Sequence, residues 1–193
     1  MNTLTSPTAI EPNTINMKSL KGFRYIDLFA GIGGFHLAMS SFGAECVFAS
    51  EWDSFAAKVY ETNFGIKPFG DITKIDESDI PEHDILCGGF PCQAFSISGK
   101  QMGFEDTRGT LFFDIARIVK HHKPKILFLE NVKNLAKHDK GNTLKTIVKT
   151  LHNLNYTVKY RVLNASDFGL PQNRERIFIV CFRNDLSVNN FSF

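Results

Sequence analysis

The sequence lacks the features that mark several protein classes. Only four of its 193 residues are cysteines. No two of them have the spacing of metal ligands, and they are too few for a disulfide scaffold. There is no long apolar stretch and no signal peptide, so we expect no membrane partner and a cytosolic location. In such a reducing compartment, a cysteine is either inert core or part of the chemistry.

The sequence also has little excess of charge of either sign. Charged residues make up 22% of the chain and the net charge is +2, with an isoelectric point of about 8.3. This is a weak lean toward a polyanionic partner, short of the value above about 9 that marks strong nucleic-acid binding. Hydrophobic residues make up 43%, which is enough for one soluble domain with a core. Residues 1–20 are predicted to be a flexible leader and residues 21–193 one folded domain.

Strand and helix patterns alternate along that domain. The predicted strands are Arg24–Phe29, Cys46–Ser50, Asp84–Cys87, Lys125–Leu129, Tyr156–Leu163 and Arg176–Phe182. The predicted helices are Phe35–Phe42, Ser54–Phe64, Thr110–His122 and Asn142–Leu154. Only residues 165–175 separate the last two strands, which is too short for a crossover helix, so these strands should be antiparallel. The pattern predicts an α/β fold with a mostly parallel sheet and an antiparallel final strand.

A glycine-rich turn after the first strand indicates a nucleoside site. The run Asp27-Leu-Phe-Ala-Gly31-Ile-Gly33-Gly34 lets the backbone turn tightly and approach a ligand. Glu51 ends the second strand, and a carboxylate there can accept hydrogen bonds from both ribose hydroxyls. Trp52 beside it offers an apolar face for adenine. A tight turn with a surface glutamate is the alternative. The run is not Gly-x-Gly-x-x-Gly, so a nicotinamide dinucleotide is not favoured.

Cys92 follows the third strand in Gly88-Gly-Phe-Pro91-Cys92-Gln93, which predicts a loop at the ligand side of the sheet. A reactive cysteine needs partial exposure and a lowered pKa. Taken alone, Cys92 is equally compatible with structure and with catalysis. Cys46, Cys87 and Cys181 lie in apolar strand runs and are predicted to be inert core.

Two further motifs follow later strands. Glu130, in Glu-Asn-Val, is predicted to come directly after the fourth strand, where a carboxylate can do acid or base work. Arg174 and Arg176, in Gln-Asn-Arg-Glu-Arg, lie two residues apart at the start of the last strand, so both can face one side. They can hold a phosphate or a carbonyl oxygen. A surface glutamate and a solvated charged edge are the alternatives.

These four motifs, in this order, resemble those of the cytosine-5 DNA methyltransferases, and most closely the HhaI-type bacterial enzymes of restriction-modification systems. The resemblance runs from about Gly22 to Phe193. It implies a Rossmann-like, S-adenosylmethionine-dependent methyltransferase fold. It also implies an enzyme of the bacterial cytosol that acts on double-stranded DNA.

The resemblance implies a role for each motif. Cys92 would attack C6 of a flipped-out cytosine, and Glu130 would bond its N3 and exocyclic amine. Arg176 would hold the cytosine O2 or orient Glu130, with Arg174 in support. The implied cofactor contacts are Phe29, Gly31, Gly33, Glu51, Trp52, Asp71, Ile72, Pro91 and Leu111. The loop residues implied to meet DNA are Gln93, Ser96 and Ser98, in a stretch predicted to be mobile. No metal is implied.

The family's enzymes continue with a target-recognition domain, which reads bases in the major groove, and with a closing segment that completes the cofactor pocket. Neither is in this sequence. Three interpretations stay open: one subunit of a split enzyme whose second half is another polypeptide, a truncated remnant, and a non-catalytic cofactor-binding or DNA-associated module. A dehydrogenase is disfavoured because it leaves Cys92, Glu130 and the arginine pair unexplained. The HhaI likeness favours DNA over the transfer RNA that one branch of the family methylates.

Overall fold

A computed structural model describes residues 19–91, 111–186, 188 and 191–193 of the protein. Six strands form one sheet: β1 (Arg24–Leu28), β2 (Glu45–Ser50), β3 (Ile85–Gly88), β4 (Ile126–Val132), β5 (Tyr156–Asn164) and β6 (Glu175–Arg183). Four helices accompany it: α1 (Gly34–Ser41), α2 (Ser54–Phe64), α3 (Leu111–His122) and α4 (Asn142–Asn153).

The strands lie in the order β2-β1-β3-β4-β6-β5. β2, β1, β3 and β4 are parallel, whereas β6 is antiparallel to both of its neighbours, β4 and β5. Five strands therefore share one direction and the last is reversed. The predicted α/β architecture, with a mostly parallel sheet and an antiparallel final strand, is confirmed.

One face of the sheet is covered by α3 and α4. Both helices place apolar residues three and four positions apart on one side, as the period of an α-helix requires. These residues pack against alternate residues of the central strands. The fully buried members include Ile115, Ile118, Ile147, Leu151, Ile26, Leu28, Leu127, Leu129, Ile177 and Ile179. This core holds the carboxyl ends of β1, β3 and β4 side by side.

The opposite face is only partly covered. α1 packs there through Met39 on Tyr25 and Ile85. α2 meets α1 through a hydrogen bond of 2.7 Å between Tyr60 Oη and His36 Nδ1. Asp53 caps α2 by accepting the Ala56 N–H at 2.7 Å. Leu20, at the end of the predicted leader, donates its N–H to Phe42 O. Ordered contacts therefore begin before Lys21.

The connections leave β1 and β3 in opposite directions across the sheet. β1 leads to β2 on one side, whereas β3 leads to β4 on the other. Beyond the carboxyl ends of two such strands an α/β sheet has a crevice, where ligands bind. The segment after β1 and the segment after β3 meet there. No helix among the described residues is long and apolar enough to cross a bilayer.

Candidate active site

The turn after β1 reverses the chain into α1 with three residues in the left-handed region. Phe29, Gly31 and Gly33 have φ values of 56°, 55° and 95°. A Cβ at Gly33 would lie 2.1 Å from Phe64 Cε2, so a side chain cannot be accommodated there without displacing that ring. The sequence therefore needs glycine at 33 for both backbone conformation and space.

Glu51 ties this turn to the end of β2. Its side chain is nearly buried. One oxygen accepts the Gly31 N–H at 2.7 Å and the other accepts the Asp53 N–H at 2.8 Å. A carboxylate has about four acceptor sites, so both oxygens can accept a further donor such as a hydroxyl. Trp52, the only tryptophan, is 80% exposed beside it. The predicted ribose and adenine contacts are thus adjacent.

Asp71 and Ile72 reach the same edge through a short extension of the sheet. Phe69 donates its N–H to Ala49 O and accepts the Glu51 N–H, each at 2.8 Å. Asp71 Oδ1 then accepts the Thr73 hydroxyl at 2.8 Å and the Thr73 N–H at 3.0 Å. These two hydrogen bonds lower the pKa of Asp71, which keeps it a carboxylate. The structure places both residues on the side of β2 where Glu51 ends.

Glu130 faces two guanidinium groups. Its Oε1 lies 3.0 Å from Arg176 Nε and 3.8 Å from Arg174 Nη2. The prediction that Glu130 follows its strand is wrong: β4 continues to Val132, and Glu130 pairs with Phe178 of β6. The reason is that β6 supplies backbone partners for three more residues than the apolar run alone suggests. The two arginines do share one side, as their spacing predicted.

Gly89 lies between the nucleoside edge and Glu130. A Cβ on Gly89 would come within 3.8 Å of Glu130 Oε2 and 3.9 Å of Phe29 O. Two of the predicted sites therefore meet across one residue without a side chain. Of the other predicted cofactor contacts, Pro91 is exposed and Leu111 is half-buried at the start of α3. Cys92, Gln93, Ser96 and Ser98 lie outside the described residues.

Sequence reasoning gave no role to Asn131, which the structure buries beside these groups. Its side-chain amide donates to Phe90 O at 2.7 Å, and its oxygen accepts the Val132 N–H at 2.8 Å. Only 1% of Asn131 is exposed. It fixes the backbone just before Pro91 and thus the entry to the segment with Cys92. An amide at a buried position of an apolar strand was the signal available in the sequence.

The three described cysteines differ from a nucleophile in their surroundings. Cys87 and Cys181 are fully buried, and Cys46 is partly buried against the Tyr60 hydroxyl at 3.6 Å. Burial raises the pKa of all three thiols. A raised pKa disfavours the thiolate, which is the reactive form.

Sequence comparison establishes the family. The family model for C-5 cytosine-specific DNA methylases matches residues 23–193. The chain belongs to this family. It is 64% identical over 179 residues to the Type II methyltransferase M.HhaI of Haemophilus parahaemolyticus, covering 93% of this chain and 55% of that protein. It is 56% identical over 201 residues to M.HpaII of Haemophilus parainfluenzae, covering 100% of this chain and 56% of that protein. The chain spans about half the length of these relatives.

Solved structures agree on the fold. The Dnmt2 methyltransferase of S. pombe superposes with a TM-score of 0.70 at 23% identity, over 89% of this chain and 53% of that chain. A putative DNA modification methyltransferase from an E. coli prophage gives a TM-score of 0.71 at 24% identity, over 88% of this chain and 49% of that chain. The predicted methyltransferase fold is confirmed.

Proposed function

We propose that this chain is the catalytic half of a DNA cytosine-5 methyltransferase. It would transfer a methyl group from S-adenosylmethionine to C5 of a cytosine in double-stranded DNA, in a restriction-modification system of the bacterial cytosol. The observation that carries the proposal is the carboxylate of Glu130, held between Arg174 and Arg176 and separated from the Phe29 turn only by Gly89. The matched family of C-5 cytosine-specific DNA methylases supports DNA as the substrate.

The residues at the nucleoside edge fit the cofactor. The Glu51 oxygens can accept the ribose hydroxyls, since each accepts one N–H bond within the described part of the chain and has room for another. Asp71 Oδ2 can accept the exocyclic amine of adenine, because the hydrogen bonds from Thr73 go to Oδ1 and Lys74 Nζ lies 3.8 Å from Oδ2. Trp52 provides the exposed ring. When bound there, S-adenosylmethionine supplies an electrophilic methyl group.

The remaining residues act on the cytosine, which must leave the stack to be reached. The Cys92 thiolate adds to C6, and Glu130 in its protonated form donates its proton to N3 while its other oxygen accepts from the exocyclic amine, so that the ring's electrons become available at C5. After C5 has taken the methyl group, a base removes the C5 proton, the C5–C6 double bond forms again as Cys92 leaves as thiolate, and N3 returns its proton to Glu130. Arg176 holds the cytosine O2 or orients Glu130, and Arg174 supports the pair.

An apolar groove on the sheet indicates a binding surface for a further polypeptide segment. The face of the sheet beside β4 and β6 carries an apolar groove lined by Met39, Ile126, Phe128, Phe178 and Val180. Globular proteins bury such patches, whereas here, among the described residues, α1 contributes only Met39 and the C-terminal segment only Phe191 and Phe193 to its lining. The relatives contain a further part, close to half of their length, that this chain does not match. We propose that the corresponding part, in this protein or on a second polypeptide, covers the groove and recognises the DNA sequence.

Methyl transfer measured in trans tests the proposal. Tritium from labelled S-adenosylmethionine is followed into DNA with this chain alone, and with the part of M.HhaI that lies beyond the match. The mixture is expected to methylate DNA, and Cys92→Ala is expected to abolish transfer while cofactor binding persists. Cys46→Ala is the matched control and should leave transfer unchanged, because Cys46 lies away from the site against Tyr60.

Turnover by Cys92→Ala close to wild type would refute the nucleophile. Binding of cofactor without transfer in any mixture would instead favour a remnant or a non-catalytic module. The reading frame next to the gene separates these two, since an intact recognition domain there supports a split enzyme.

A further inference from the structure

Arg117 on α3 contacts four partners through its guanidinium group. Its Nε lies 3.0 Å from Asp114 Oδ1, and its Nη1 lies 2.7 Å from Glu77 Oε2. Its Nη2 donates to two backbone carbonyls, Ile72 O at 2.7 Å and Ile75 O at 2.8 Å. The planar fork of an arginine permits such a set in one geometry.

The four partners of this guanidinium bracket one segment. Three of them lie between Ile72 and Glu77, which includes the short 3₁₀ turn Ile72–Lys74 directly after Asp71. Within that turn the backbone bonds are long, with Lys74 N–H to Asp71 O at 3.1 Å and Ile75 N–H to Ile72 O at 3.2 Å. Arg117 therefore supplies the short contacts that hold the turn against α3.

The held turn carries two groups that can meet a purine. Asp71 keeps Oδ2 without a bond shorter than its 3.8 Å contact to Lys74 Nζ, and the Ile72 N–H donates to no acceptor in the described part of the chain. A carboxylate oxygen and an adjacent N–H match the amine and the ring N1 of adenine. Hypoxanthine reverses both partners, because it carries a carbonyl oxygen and a protonated N1.

We propose that Arg117 is a positioning residue for purine discrimination: by fixing Ile72 O and Ile75 O it holds Asp71 and Ile72 at the spacing that accepts adenine and rejects hypoxanthine. This inference rests on the proposed function, since it takes the edge beside Glu51 as the cofactor site. Preorganisation of the turn lowers the ordering cost of binding only for the purine that matches it.

Calorimetric titration of the full chain with S-adenosylhomocysteine and with S-inosylhomocysteine tests the proposal. Arg117→Lys keeps the charge but cannot serve both carbonyls and both carboxylates at once. We expect the ratio of the two affinities to fall about tenfold, the effect of weakening one or two hydrogen bonds to charged or fixed groups. Glu77→Gln is the control: it removes one ionic partner and leaves both carbonyl contacts, so its ratio should match wild type.

Hydrogen–deuterium exchange of residues 71–76 gives a readout without ligand. Faster exchange there in Arg117→Lys, with the rest of the domain unchanged, is expected. An unaltered affinity ratio in a variant that still binds S-adenosylhomocysteine would overturn the role of Arg117. If wild type binds neither compound, the cofactor site itself is refuted. The exchange rates then decide on their own whether Arg117 holds the turn, and equal rates in the two proteins would overturn it.

Discussion

Replacing Asn131 with aspartate is expected to destabilise the domain and to loosen the backbone that leads to Cys92. The acid keeps the shape of the side chain and the oxygen that accepts the Val132 N–H. It removes only the donor to Phe90 O, a bond of 2.7 Å between two buried residues. The carbonyl of Phe90 is then left facing a carboxylate.

The expected cost follows from these contacts. Losing the hydrogen bond removes about 1 kcal/mol, and leaving a buried carbonyl without a donor adds roughly 1–3 kcal/mol. We therefore expect the free energy of unfolding to fall by about 3 kcal/mol at pH 7. Burial raises the pKa of the new acid above its ordinary value of about 3.9, so its protonated form can donate in the folded state. The loss of unfolding free energy is accordingly absent below about pH 3.9 and grows as the pH rises.

Urea unfolding at pH 7 and pH 4 measures this difference. Asn134→Asp is the control, because it introduces the same charge three residues away at an exposed position. The labelling rate of Cys92 with a thiol reagent should rise in Asn131→Asp only, while the buried Cys87 and Cys181 stay unlabelled in all three proteins. Equal unfolding free energies for the two variants at pH 7 would refute the reasoning.

Three further changes test other parts of the structure. Burial lowers the pKa of His83 to about 4 from an ordinary 6.5. Neutral His83 therefore leaves the free energy of unfolding unaffected above pH 6.5. As the pH drops from 6.5 toward 4, His83 lowers this free energy by about 3 kcal/mol. In urea unfolding, His83→Gln should therefore lose less stability than wild type between pH 6.5 and pH 4. The same loss in both proteins would contradict this role of His83. Asp27 is fully buried, and among the described residues its carboxylate has only a weak contact with the backbone of His36. Burial raises its pKa, so its destabilising effect begins above the ordinary value of 3.8 and grows with pH. Asp27→Asn should therefore stabilise the domain at pH 8 and not at pH 3.5, as thermal melting at both values will show. Gly33→Ala should lower the melting temperature more than Gly31→Ala. Alanine at either position must adopt a left-handed backbone, which costs about 1–2 kcal/mol. Only at position 33 does the added Cβ also clash with Phe64, at 2.1 Å. Equal shifts would contradict the steric argument.

The apolar periodicity of the sequence predicted the strands and helices because each element buries one continuous side. In α4, for example, Leu144, Ile147 and Leu151 recur at helical spacing, and all three are buried. The end of β4 was missed because its last residues are polar. Glu130 and Asn131 stay in the strand only because β6 pairs with them, and that partner lies more than 40 residues away.

Part of the candidate site could likewise be predicted from the sequence, and part could not. The turn at Gly31 and the carboxylate of Glu51 were predicted to act together, and a bond of 2.7 Å joins them. The bonds from Arg117 to Ile72 O and Ile75 O had no such signal. Arginine on a helix is common, and nothing in a local pattern shows which carbonyls a guanidinium reaches. Contacts with backbone atoms are independent of the partner's side chain and so leave no trace in its sequence.

The reversed direction of β6 decides which stretches of chain can serve the reacting edge of the sheet. A parallel strand contributes its carboxyl end to this edge, whereas β6 contributes its amino end, so Arg174, just before β6, and Arg176, its second residue, both reach Glu130. The part of the β5–β6 loop that precedes Arg174 can therefore be lengthened without moving either arginine. For protein engineering, this loop is a position at which new sequence can be inserted close to the catalytic residues while the sheet stays unchanged.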